Sequence, residues 1–225
     1  MKRILALTLI VAAALTLASC KKDEKITADT STQTYPVQTA EVIKPEELTD
    51  KALVRGTIND YVYHNEFSGL TFNFSDLWDV SDDESLASSS GCEVEDMAQD
   101  KIPTTIASRE KTYDFSAYNE LLDVEVNIYF ENMLSYSNEI MDDSEYAEAF
   151  MSRLPGGENA ATSVSENTTV MLGGQEYHKV VCSVSIMGIV SNQAHYFRTV
   201  DGVVCGISMV FSSTDVLPQV EEMSS

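Results

Sequence analysis

Residues 122–130 set Leu122, Val124, Val126, Ile128 and Phe130 against Asp123, Glu125, Asn127 and Tyr129, the two-residue period of a strand with one face in a core. Residues 104–118 are its expected antiparallel partner, joined through Asn119-Glu120. Four more strand patterns follow, near 162–172, 175–187, 193–200 and 203–211. Gly173-Gly174 joins the first pair and Asp201-Gly202 the last, and both dipeptides supply the positive φ that tight hairpin turns demand. The second turn predicts a register in which Val200 faces Val203, Arg198 faces Cys205 and Tyr196 faces Ile207. Nearer the start, Val62, His64, Glu66 and Ser68 alternate with less regular neighbours. Gly69–Phe74 then puts Leu70, Phe72 and Phe74 on one strand face, with Trp78 in the turn beyond.

The 3.6-residue period marks the helices. Asp142-Asp143-Ser144 precede Tyr146, Ala149, Phe150 and Leu154, and Pro155-Gly156-Gly157 ends that run. Ser81-Asp82-Asp83-Glu84 supply a cap and first-turn acids for a helix expected to continue, with a break at 88–91, through Glu93–Lys101 until Pro103 stops it. A short helix from Thr214 accommodates Pro218 only in its first turn. Domain patterning thus occupies residues 56–225.

The N-terminus follows different rules. Lys2 and Arg3 precede an apolar run at 4–17, which is shorter than the roughly 20 residues needed to span a bilayer. Its end, Leu17-Ala18-Ser19-Cys20, resembles the lipobox of bacterial lipoproteins. That resemblance implies that residues 1–19 are a signal peptide, that Cys20 is acylated on sulfur and becomes the first residue, and that the bilayer is a partner through its acyl chains. The expected location is the outer face of the cell membrane. Each buried methylene contributes about 0.8 kcal/mol, so two or three chains anchor a protein where one is marginal. Residues 20–55, rich in Thr, Lys, Asp and Glu and poor in large apolar side chains, read as a lipidated cysteine followed by a linker. As a flexible coil that linker has a reach of roughly 30–35 Å.

The net charge of −22 repels phosphodiester backbones, and losing Lys2 and Arg3 with the signal leaves 12 basic residues against 36 acidic, so nucleic-acid binding is excluded. Beyond Cys20 lie Cys92, Cys182 and Cys205. Placed on strands with one other between them, Cys182 and Cys205 are about 9–10 Å apart, beyond the 7 Å reach of a disulfide, and are expected as free buried thiols.

The stretches Tyr63–Phe72 followed by Trp78, Tyr113-Asp114-Phe115-Ser116-Ala117, Tyr129-Phe130-Glu131-Asn132-Met133, Leu172–Tyr177 and Gln193–Phe211 are together similar to the PsbP-like proteins. Phe74-Ser75-Asp76-Leu77-Trp78 departs from that family's Pro-x-Gly-Trp turn. The resemblance implies an α+β fold, an antiparallel sheet flanked by helices on both faces as an α/β/α sandwich. It also implies action by docking to a larger partner, with no shared catalytic activity.

Candidate chemistry is sparse. His64, His178 and His195 are scattered through strands without metal-ligand spacing, and no H-E-x-x-H, C-x-x-C or G-x-S-x-G occurs. Asp82-Asp83-Glu84 and Asp142-Asp143 with Glu145 are read as helix caps before calcium ligands. No catalytic, cofactor-binding or metal residue is assigned. Trp78, Tyr113, Asp114 and Glu131 are the candidates for a docking surface, the aromatic part of which extends to Tyr118, Tyr129 and Tyr136. The expected role is a non-catalytic binding or accessory domain with a membrane or cell-surface protein partner and no cofactor. The alternatives are a hydrolase using Asp114 and Glu131, and a small-ligand or metal receptor using the acidic clusters.

Overall fold

A computed structural model describes residues 53–224 except 134–136, 138 and 158. The signal peptide, Cys20, the linker as far as residue 52 and Tyr136 lie outside the described residues. β1 (Thr57–Asn59), β2 (Val62–Asn65) and β3 (Leu70–Asn73) form a three-stranded antiparallel sheet in chain order. β4 (Trp78–Val80), β5 (Lys111–Asn119), β6 (Val124–Asn132), β7 (Ala160–Leu172), β8 (Gln175–Ile186), β9 (Ile189–Val200) and β10 (Val203–Phe211) form a seven-stranded sheet. Its order is β4-β5-β6-β10-β9-β8-β7, and all neighbours are antiparallel. The helices are α1 (Asp83–Ser90), α2 (Ile102–Ser108), α3 (Asp143–Arg153) and α4 (Leu217–Glu222).

The Asp201-Gly202 turn has φ of 49° and 82°, and it sets the expected pairs Val200 with Val203, Arg198 with Cys205 and Tyr196 with Ile207. Three sequence expectations change. Residues 104–108 are helical, because Pro103 occupies the first turn of α2, where its missing N–H leaves no bond unmade; the proline opens a helix and ends none. What ends α1 is Gly91, at φ 66°, whose N–H returns to Ala87 and Ser88 carbonyls. Trp78 lies in β4, paired with Asn119, and not in a turn.

Side-chain alternation divides the large sheet into two faces. One carries Val126, Ile128, Tyr196, Ile207 and Met209 beneath Leu70 and Phe72 of the small sheet and Val216, Leu217 and Val220 of the C-terminal segment. At its Asp201-Gly202 end the same face carries Phe130, Val203 and Cys205 beneath Leu53, Phe67, Ile102 and Ile106. The other face carries Val180, Phe197 and Val204 beneath Tyr146, Ala147 and Phe150 of α3. Cover on the first face is thus largely β-structure with short helical pieces, where helices alone were expected. The fold is mixed α and β, with the sheets dominant.

Leu53, Val54 and Arg55, assigned by composition to the linker, pack into the domain. Leu53 is buried, and removing its side chain from water contributes about 1.5–3 kcal/mol. The described chain therefore enters the fold by Leu53, not at Gly56, at the Asp201-Gly202 end of the sheet. Cys182 and Cys205 are buried, and neither is in a disulfide. Their β9 neighbours, Gln193 and Arg198, are an odd number of residues apart, so the two thiols also lie on opposite faces.

Candidate functional site

Asp114 sits where the β5–β6 register slips between Tyr113 and Phe115, so it has no partner in the ladder and turns toward β2. Its side chain is 1% exposed, and Arg55 Nε donates to Oδ1 at 3.3 Å. Its Oδ2 accepts from Gly56 N–H at 2.8 Å, Tyr63 OH at 2.6 Å and Asn65 Nδ2 at 3.1 Å. Burial raises the Asp114 carboxyl above its ordinary range, and the Tyr63, Gly56 and Arg55 donors oppose that rise. The same burial, with Asp114 alongside, pushes the Tyr63 phenol well up, so it stays a donor. Arg55 continues the network: Nη2 reaches Asp83 Oδ1 at 2.8 Å, and Nη1 donates to the Met97 carbonyl at 3.1 Å. One guanidinium thereby ties the entry segment to β5, α1 and the turn after it. A cleft of about 370 Å³ opens beside this network, lined by Arg55, Ser81, Asp83, Gln99 and Asp114 among others.

Glu131 points the other way. Its Oε1 accepts from Tyr146 OH of α3 at 2.5 Å, Lys111 Nζ lies 3.5 Å from Oε2, and Arg153 is at 3.9 Å. Lys111 Nζ also sits 3.9 Å from the centre of the Tyr129 ring. Although burial pulls the Lys111 ammonium down, Tyr129 and Glu131 hold it above its usual value. Asp143 fastens the start of α3 by accepting from both Thr199 N–H and Thr199 Oγ1 at 2.6 Å.

Asp114 and Glu131 consequently do not converge. The first is bonded to β2 on the small-sheet side, and the second to α3 on the opposite face. The paired-carboxylate arrangement that hydrolysis needs is not formed by these two residues. The acidic clusters do cap helices: Asp82 Oδ1 accepts from Ser85 N–H, and Asp142 and Glu145 close a reciprocal capping box. Among the described residues no group of three or more His, Cys, Asp or Glu is placed to hold a metal ion. The aromatic docking candidates turn inward. Trp78 is buried edge-on to Phe72, Tyr113 packs on Tyr129, and Tyr129 is buried. Tyr118 is half-buried and donates to Asp123.

His64 and His178 bond to Thr71 and Asn167 from their own strand neighbours. His195 departs from the expected half-exposed state. It is buried beside Phe150, its Nε2 is 3.0 Å from Gln193 Oε1, and its Nδ1 has no hydrogen-bond partner among the described residues. Burial, helped by the Lys111 charge, pushes it down to about 3, so it is neutral.

Sequence reasoning missed Arg55, Tyr63 and Asn65, the partners of Asp114. Arg55 looked like linker, and nothing local marks a residue whose carboxylate lies 59 positions away.

Among solved structures, the solution structure of cyanobacterial PsbP (CyanoP) from Synechocystis sp. PCC 6803 is similar to this chain, with a TM-score of 0.44 and 12% identity over 77% of this chain and 93% of that one. No family model matches the chain, and no curated protein sequence matches it.

Two predictions follow from the buried groups. Asp114→Asn should cost about 2–4 kcal/mol in equilibrium urea unfolding, because it puts an amide donor in place of one of two buried oxygens that accept from Arg55, Gly56, Tyr63 and Asn65, whereas exposed Asp83→Asn should cost under about 1 kcal/mol; equal small losses would contradict the assignment. His195 has a folded pKa below its ordinary 6.5, so the unfolded chain takes up the proton first as pH falls. Its contribution is fully present above pH 6.5 and is lost toward about 3. Stability of the wild type should therefore fall faster than that of His195→Gln between pH 6.5 and 5, by at most about 1.4 kcal/mol per unit. Parallel curves would refute a buried neutral imidazole.

Proposed function

We propose that this chain is an extracytoplasmic lipoprotein, acylated at Cys20 and moored to the outer face of the cell membrane, whose domain is a non-catalytic binding or accessory module for a membrane or cell-surface protein. In finer detail the domain is a PsbP-like α/β/α sandwich, with α3 over one face and α2 and α4 contributing to the other. The observation that carries the binding role is the fate of the two buried carboxylates. Asp114 and Glu131 are each held by several donors, on opposite faces, in contacts that join elements. Asp114 has donors on both oxygens, which leaves it a structural joint in place of a proton acceptor.

The anchor reading is supported by Lys2, Arg3, the apolar run and Leu17-Ala18-Ser19-Cys20 in their proper order. With Leu53 at the Asp201-Gly202 end, the linker joins the domain there.

Replacing Cys20 by Ala should move the protein from the membrane fraction to the soluble extracytoplasmic fraction. Unchanged fractionation would overturn the anchor, while a soluble variant that keeps its fold supports it.

A further inference from the structure

We infer that the β7 edge of the large sheet is a self-association surface, on which the apolar Met187–Val190 tip of one copy seats in the groove between α3 and β7 of a second copy, and the reverse.

The first ground is turn chemistry. Three hairpins of the large sheet close with two residues at positive φ: Gly173-Gly174, Asp201-Gly202 and Met187-Gly188. The first two use residues suited to that conformation; the third places Met187 at φ 53°. A left-handed conformation is unfavourable for a residue that carries a side chain, and Asn or Gly is the ordinary solution. Met187 is moreover 83% exposed, and Ile189 and Val190 beside it are 47% and 59% exposed. Tyr61 breaks the same rule at φ 63°, yet its ring is edge-on to Phe74 of its own chain at 5.9 Å. A residue unfavourable both for its backbone and for its exposure serves something other than the isolated fold.

The second ground is a recess beside the tip. Met151, Leu154, Pro155, Gly156, Thr162 and Val164 line a groove of about 450 Å³ at the end of α3 and the start of β7. Ala160 pairs with Ile186, and Met187 N–H donates to the Asn159 carbonyl at 3.0 Å, so protrusion and recess are neighbours on one edge. A two-fold axis makes both contacts at once, as an isologous interface requires.

The third ground is charge. In a chain of net charge −22, the segments 154–164 and 186–193 contain one ionisable residue between them, Glu158. Two copies of so acidic a protein repel wherever acids meet. The tip itself carries no charge, so nothing on it opposes the approach of a second copy, while Arg153 and Glu166 flank the recess.

Sedimentation velocity of the mature full-length protein in non-ionic detergent, from micromolar to hundreds of micromolar, tests the proposal. The wild type should form dimers. Met187→Asn suits the turn and should raise the melting temperature by roughly 2–4 °C while weakening the dimer tenfold or more. Leu154→Glu should also abolish the dimer, and Leu121→Glu, in another exposed loop, should leave it intact. A wild type that stays monomeric, open-ended oligomers, or a dimer that survives both Met187→Asn and Leu154→Glu would each overturn the inference.

Discussion

A carboxyl group taken out of water is tolerated only where donors replace its hydration, and Asp114 of β5 finds those donors on two other stretches of chain. Gly56 and Arg55 come from the entry segment, Tyr63 and Asn65 from β2, and the bulge that aims the carboxylate belongs to β5. The full set of bonds forms only when all three stretches are in place. The small sheet, the first helix and the start of the described chain are therefore docked onto the large sheet by one hydrogen-bonded polar cluster together with the apolar contacts of Leu70, Phe72 and Phe115.

The opposite face repeats the device with different residues. Glu131 and Asp143 hold the first turn of α3, and the apolar parts of Tyr146 and Phe150 pack it onto the sheet. A third cluster, Lys179 with Glu166 and Glu221, and Tyr196 donating to Glu221, binds α4 to β7, β8 and β9. A chain with so large an acid excess places several of its few cations where they join elements. Its remaining acids lie on the surface, where they favour solubility and discourage contact with other anions.

The long hairpins were legible because two local signals agreed: a period of two and a Gly-containing turn at the right spacing. Both capped helix starts, at Asp82 and Asp142, were legible for the same reason. Pro103 was misread because a proline that ends one helix and a proline that begins the next look alike in one dimension. The Met187-Gly188 turn was hidden because methionine carries no turn signal, so β9 begins four residues earlier than its pattern suggested. The inward placement of Trp78 and Tyr113 and the whole Asp114 cluster depend on packing between segments about 50 residues apart, which no local period encodes. The docking candidates named from sequence were polar or aromatic residues near strand ends. The structure shows why such residues are there: they close the ends of the sheet against its covering layers.

Asp114 is a structural joint that locks the chain's entry segment into the cooperative core. Native-state hydrogen exchange at the Gly56 amide, which donates to Asp114 Oδ2, tests it most directly. This amide should open only with the whole domain and match the slowest amides of β6 and β10. Exchange as fast as that of the exposed Asp60 turn would contradict it.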